Sequence, residues 1–82
     1  MFMPDWLQAI DRTGMEWEPD GGVVHVRACD GMILDVTVVR LQGHRYLVAG
    51  SDHHGYPART VMRRIDGMDV DSIRGFILSL AG

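Results

Sequence analysis

The residues best suited to chemistry are scattered. The chain has four histidines, His25, His44, His53 and His54, and one cysteine, Cys29. Only Asp52-His53-His54 gathers metal-ligand residue types in one place. Adjacent side chains of an extended segment point apart, and Zn²⁺ wants three or four converging donors. The segment therefore reads as a solvated polar loop, and no metal is expected. His25 and His44 fall on predicted strands as surface or half-buried residues. Cys29, alone in an apolar run, reads as a small core residue rather than a nucleophile. Ser51, Ser72 and Ser79 have no base beside them in sequence, and the paired carboxylates Glu16/Glu18 and Asp69/Asp71 read as solvent-facing or capping groups. No GxSxG elbow, phosphate-cradling glycine loop or HExxH helix occurs. A chain of 82 residues also has little room for a deep, dry pocket. The expectation is a non-enzymatic protein without a cofactor.

Binding chemistry is better represented. All 8 basic residues other than histidine are arginine and none is lysine. Coding bias towards GC would produce this, and so would selection for the planar guanidinium fork that grips carboxylates and phosphates. Residues 44–50 and 59–70 bring Arg45 and Tyr46 near Arg59, Arg63 and Arg64 if two adjacent strands pair. Arg63 and Arg64 then point to opposite faces, so at most one joins a given patch. Two readings stay open: a solvated basic strand face, or an anion-accepting surface of arginines beside an aromatic ring, suited to a nucleotide or a carboxylate-rich partner. A second candidate surface is acidic. Residues 1–20 hold Asp5, Asp11, Glu16, Glu18 and Asp20 against Arg12 alone. The net charge of −3 argues against general duplex-DNA binding, which draws its affinity from neutralised phosphates.

The elements that must position these groups follow from periodicity. Met3, Trp6, Leu7 and Ile10 fall on one helical face, with Pro4 and Asp5 suited to the first turn and Gly14 to the stop, which predicts a helix over about 4–13. Residues 15–18 alternate apolar and acidic as a short edge strand, and 19–22 form a turn. Strands are predicted over 23–29, 32–41, 44–49 and 59–65, joined by turns at Asp30-Gly31 and Gln42-Gly43 and by a polar loop over 50–55. In the second of these, Leu34, Val36 and Val38 share a phase that Val39 and Leu41 break, which suggests a bulge or sharp bend. A final helix over about 70–80 has Val70, Ile73, Ile77 and Leu80 on one face, widened by Phe76 and Leu78, with Asp69 or Asp71 as its cap. The fold class is α+β: a small, strongly bent antiparallel sheet of four to five strands, a Sm-like or SH3-like barrel, flanked by an N-terminal and a C-terminal helix in one domain over 1–82.

Composition fits that class. Hydrophobic residues make up 46% and charged residues 23%, as in a globular domain. No apolar run reaches the roughly 20 residues of a membrane span, and the first residues lack the pattern of a signal peptide. One cysteine in so small a chain favours a reducing compartment, so a cytoplasmic location without membrane contact is expected.

The stretch Arg45-Tyr46-Leu47-Val48-Ala49, the later strand ending Arg64-Ile65 with Val70 beyond it, and the hairpin at Asp30-Gly31 together resemble the WYL domain. That family is a Sm-like SH3 barrel found in bacterial transcription regulators and CRISPR-associated proteins, and the likeness covers about residues 23–70. It implies a ligand surface sensing nucleic acid or nucleotides, with Tyr46, Arg59 and Arg64 as retained members. The chain departs from the family at Arg45, where members use tryptophan or a similar residue, and at Asp35 on a strand where they carry arginine. At fold level the chain is also similar to the small Sm-like bacterial inhibitor of the Rho termination factor, a short acidic chain that works by protein contact.

Two functions are therefore expected. The first is a regulatory binding module that engages a nucleotide, single-stranded nucleic acid or an acidic partner through Arg45, Tyr46, Arg59 and Arg64. The second is a small acidic inhibitor or adaptor, of phage or mobile-element type as in anti-CRISPR proteins, that covers a basic surface of a target through Asp5, Asp11, Glu16 and Glu18. Exposed edge strands would also permit a homodimer.

Overall fold

A computed structural model describes residues 2–28, 31–53 and 56–81, with side chains for all of these except 52, 53 and 56–58. The element order is α1 (Asp5–Arg12), β1 (Glu16–Asp20), β2 (Val23–Arg27), β3 (Ile33–Leu41), β4 (His44–His53), β5 (Tyr56–Arg64) and α2 (Val70–Ala81). The five strands form one antiparallel sheet in the order β1-β2-β3-β4-β5, a meander. The expected α+β class and flanking helices are present. The sheet is not closed: among the described residues β1 and β5 are its two edges, so the architecture is an open sheet rather than a complete barrel.

Local sequence explains the joints. Gly21 and Gly22 connect β1 to β2, and Gly21 has a φ of +63°. Gln42 and Gly43 both take positive φ, 51° and 80°, the conformation of a two-residue type I′ hairpin whose twist matches its strands. The β2–β3 connection closes through the Gly31 N–H to the Ala28 carbonyl at 3.3 Å and the Ala28 N–H to the Met32 carbonyl at 2.8 Å. Cys29, an expected core residue, and Asp30, expected in this turn, lie outside the described residues, as do His54 and Gly55. The predicted polar loop over 50–55 is largely replaced by strand: β4 runs on to His53 and β5 begins at Tyr56. Asp69 caps α2, accepting the Ser72 backbone N–H at 2.8 Å, which settles the choice between Asp69 and Asp71.

No bulge interrupts β3. Its pairing with β4 is continuous from Ile33↔Asp52 to Leu41↔His44, and among the described residues the register shift lies in the β4–β5 pair, between Ser51 and His53. The phase slip at Val38 and Val39 thus has another cause: β3 carries apolar residues on both faces. On the inner face Val24, Val26, Leu34, Val36, Leu47 and Ala49 are buried and pack against Ala9 and Ile10 of α1 and Ile73 and Ile77 of α2. Each fully buried isoleucine or leucine contributes about 1.5–3 kcal/mol. Leu78, expected on the packed face of α2, is instead 42% exposed.

Candidate functional site

Cross-strand register decides which predicted site residues can meet. Arg45 and Tyr46 are sequential on β4 and face opposite ways. Arg45 points to the helix side, where its guanidinium donates to both carboxylate oxygens of Asp5 at 3.0 and 2.9 Å. Both side chains are about 30% exposed, and the bidentate pair ties α1 to the start of β4. The Arg45 guanidinium holds the Asp5 carboxyl below the ordinary carboxylate range. Arg45 and Asp5, assigned in sequence to two different binding surfaces, are thus each other's partner.

Asp66 is a second anchor, just beyond β5. Its carboxylate accepts the Arg45 backbone N–H at 3.3 Å, Arg64 Nε at 3.0 Å and His44 Nδ1 at 3.0 Å. Burial disfavours the charged form, but the hydrogen bonds from Arg45, Arg64 and His44 outweigh it, so its pKa is lowered. In sequence Asp66 is marked only by its place in a turn with Gly67.

Tyr46 and Arg64 are direct partners across the β4–β5 ladder and face away from the helices. Arg59 pairs with Ser51 towards the other end of β5 and has the opposite parity to Arg64. The four proposed ligand residues therefore do not form one site. Tyr46 and Arg64 share the outer face, Arg45 is held by Asp5, and Arg59 lines a separate cleft under the sheet. The Arg63 guanidinium sits 5.1 Å from the centre of the Phe76 ring, on the helix side.

What surrounds Tyr46 and Arg64 was missed by the sequence reading. Val39 pairs with Tyr46, Thr37 with Val48, Val48 with Met62, and Leu41 with His44. All share the outward parity, and no helix covers them among the described residues. Leu41 is 49% exposed and Met62 55% exposed, while Val39, Tyr46 and Val48 are half-buried. The result is an apolar strip with one aromatic ring, bordered by Arg64. The phase slip in β3 was its signal: a strand apolar on both parities belongs to a sheet apolar on both faces.

Across the same face, β1, β2 and Asp35 of β3 present mainly polar side chains. Glu16 pairs with Arg27 and Glu18 with His25, around a shallow depression of about 150 Å³. His25 lies between two carboxylates, Nδ1 bonded to Asp35 and Nε2 to Asp20. The Asp35 bond chiefly, then that of Asp20, raises the His25 pKa. Of the proposed acidic surface, Glu16 and Glu18 stay exposed on this face, Asp5 is engaged with Arg45, and Asp11 accepts the Trp17 indole N–H at 3.1 Å.

Among the described residues, no three His, Cys, Asp or Glu side chains converge as a metal site, and no helix is long and apolar enough to cross a membrane. The side chains of Asp52 and His53, like His54, lie outside the described residues. Fold and surface together define a small α+β protein with an open sheet, one face under two helices and the other, among the described residues, without a helix over it. Compared with protein-family models, curated proteins and solved structures, the chain matches none.

Proposed function

We propose that this chain is a non-enzymatic regulatory module that binds a protein partner through the bare face of β3–β5, with Tyr46 and Met62 at its centre and Arg64 at its border. The observation that carries the reading is the exposure of Met62 and Leu41 beside Tyr46 and Arg64 on one face of the sheet. Aromatic residues, methionine and arginine are enriched where proteins meet, and contacts of this kind form buried anchors with a polar rim. Arg64 favours a partner with a carboxylate at the rim. In the WYL-like reading Tyr46, Arg59 and Arg64 are the retained members, of which Tyr46 and Arg64 lie on this face, and nucleotide or single-stranded nucleic acid is the rival ligand. A bare aliphatic strip suits a protein side chain better than a phosphate.

The acidic-adaptor reading uses the other half of the same face, through Glu16 and Glu18. Arg27 opposite Glu16 reduces the charge available there. A photo-reactive amino acid placed at Met62, or separately at Glu18, distinguishes the surfaces in the native host. The expected result is a protein adduct at position 62 that is lost with Tyr46→Ala and Arg64→Glu. Adducts at position 18 alone would move the working surface to the acidic half. Salt-sensitive binding to an oligonucleotide panel without any protein adduct would return the function to nucleic acid.

A further inference from the structure

We infer that β5 and α2 form a groove for an extended acidic peptide, which adds to the sheet edge as a sixth strand and seats an aliphatic side chain in the cleft between them. The inference is independent of the outer face. It begins with the backbone: β5 ends the sheet and pairs only with β4 among the described residues. From Arg59 to Arg64, alternate N–H and C=O groups therefore point outward, as in edges that accept a further strand.

The second observation is a cleft of about 440 Å³ between the inner face of β3–β5 and the last turns of α2. Its size falls in the ~300–1,000 Å³ range typical of ligand sites. Ala49, Val61 and Leu80 give it apolar walls, Ser51 and Ser79 give it hydroxyls, and Arg59 stands at one side. Among the described residues the Arg59 guanidinium makes no ion pair.

Register then fixes the chemistry of the occupant. Arg59, Val61 and Arg63 share the inward parity of β5. An antiparallel partner places its own inward residues opposite these three. An aliphatic residue belongs opposite Val61, above the cleft, with Asp or Glu opposite Arg59 and Arg63. The recognised pattern is acidic-x-aliphatic-x-acidic. A basic strand would meet like charge at both ends, and a nucleic-acid backbone has no amide ladder to pair with the edge.

The test uses the whole protein and the labelled peptide Ser-Glu-Thr-Leu-Thr-Glu-Ser, followed by fluorescence anisotropy and by ¹⁵N amide spectra. Saturable binding is expected, with the largest shifts and slowed exchange in the amides of residues 59–64. Arg59→Glu should weaken binding roughly tenfold, since it turns an attractive cross-strand pair into a repulsive one. Ser79→Trp should weaken it by filling the cleft. Arg59 and Ser79 are both exposed, so these variants keep the core intact, and a thermal melt verifies this. Met62→Asp and Tyr46→Ala should leave the peptide bound; if they abolish it, the peptide sits on the outer face and the groove is refuted. No response at millimolar peptide, equal binding of a lysine-for-glutamate peptide, or equal binding after N-methylation of the amides facing β5 would each overturn the inference.

Discussion

Replacing Arg45 by methionine removes a guanidinium while keeping most of the aliphatic stem, and so breaks the bridge to Asp5 together with a longer contact to Asp66 at 3.9 Å. The pair is bidentate at 3.0 and 2.9 Å, and its side chains are 31% and 30% exposed. Fully exposed pairs contribute about 0–1 kcal/mol, and breaking a buried pair costs about 3–5 kcal/mol. Solvent still reaches both groups, so Arg45→Met should cost about 1.5 kcal/mol. For a domain of this size each 1 kcal/mol moves Tm by about 4–8 °C, giving a drop of about 6–12 °C in a calorimetric or circular-dichroism melt. Asp5→Asn should reproduce most of the loss, and the double variant should be little worse than either single one. The pH dependence has a definite sign. The Asp5 carboxyl is held below its unfolded value, so its stabilisation is present above that value, about 3.9, and is lost as pH falls through the lowered folded pKa. The gap between wild type and Arg45→Met should therefore be full near neutrality and close below about pH 4. Additive single-variant losses, or a gap unchanged down to pH 2, would refute the assignment of Arg45 as a structural anchor.

Three further outcomes follow from other parts of the molecule. Asp69→Ala removes the cap of α2 and should cost about 1 kcal/mol in urea denaturation, because the Ser72 N–H loses its acceptor. His25 should titrate above its ordinary value in an NMR pH series and return towards it in Asp35→Asn. Its stabilising contribution is complete below the unfolded pKa of about 6.5 and disappears as pH rises through the raised folded value. Met62→Ser should leave stability within about 0.5 kcal/mol by thermal melt, since the side chain is 55% exposed, yet abolish the protein adduct formed when the photo-reactive amino acid is placed instead at the exposed Leu41 of the same face.

Most of the architecture was legible because it rests on local signals. Ile73 and Ile77 announced the packed face of α2, Gly43 after Gln42 announced a tight hairpin, and Val24 and Val26 alternated cleanly with His25 and Arg27. The site was less legible because it depends on non-local partners. Nothing near Arg45 in sequence reveals that Asp5, forty residues away, neutralises it. The parity break at Val39 was visible, but alternation cannot separate a bulge from a strand with two apolar faces. That choice depends on whether pairing with β4 stays in register, which is a property of both strands. Leu78 shows the same limit on a helix: an apolar stripe wider than the surface beneath it leaves its margin in solvent.

The two helices that cover the sheet come from opposite sides of the meander in sequence. The hairpins between them are short-range and can form early, while docking of α1 and α2 together joins segments about sixty residues apart. During synthesis the inner face, with Leu34, Val36 and Leu47, must therefore wait with only α1 to cover it until Val70–Ala81 has been made. At about 5–20 residues per second that delay lasts on the order of seconds, while both faces of the growing sheet are apolar at once. This interval, rather than any weakness of the finished fold, is when the chain is most open to aggregation or to capture by a chaperone.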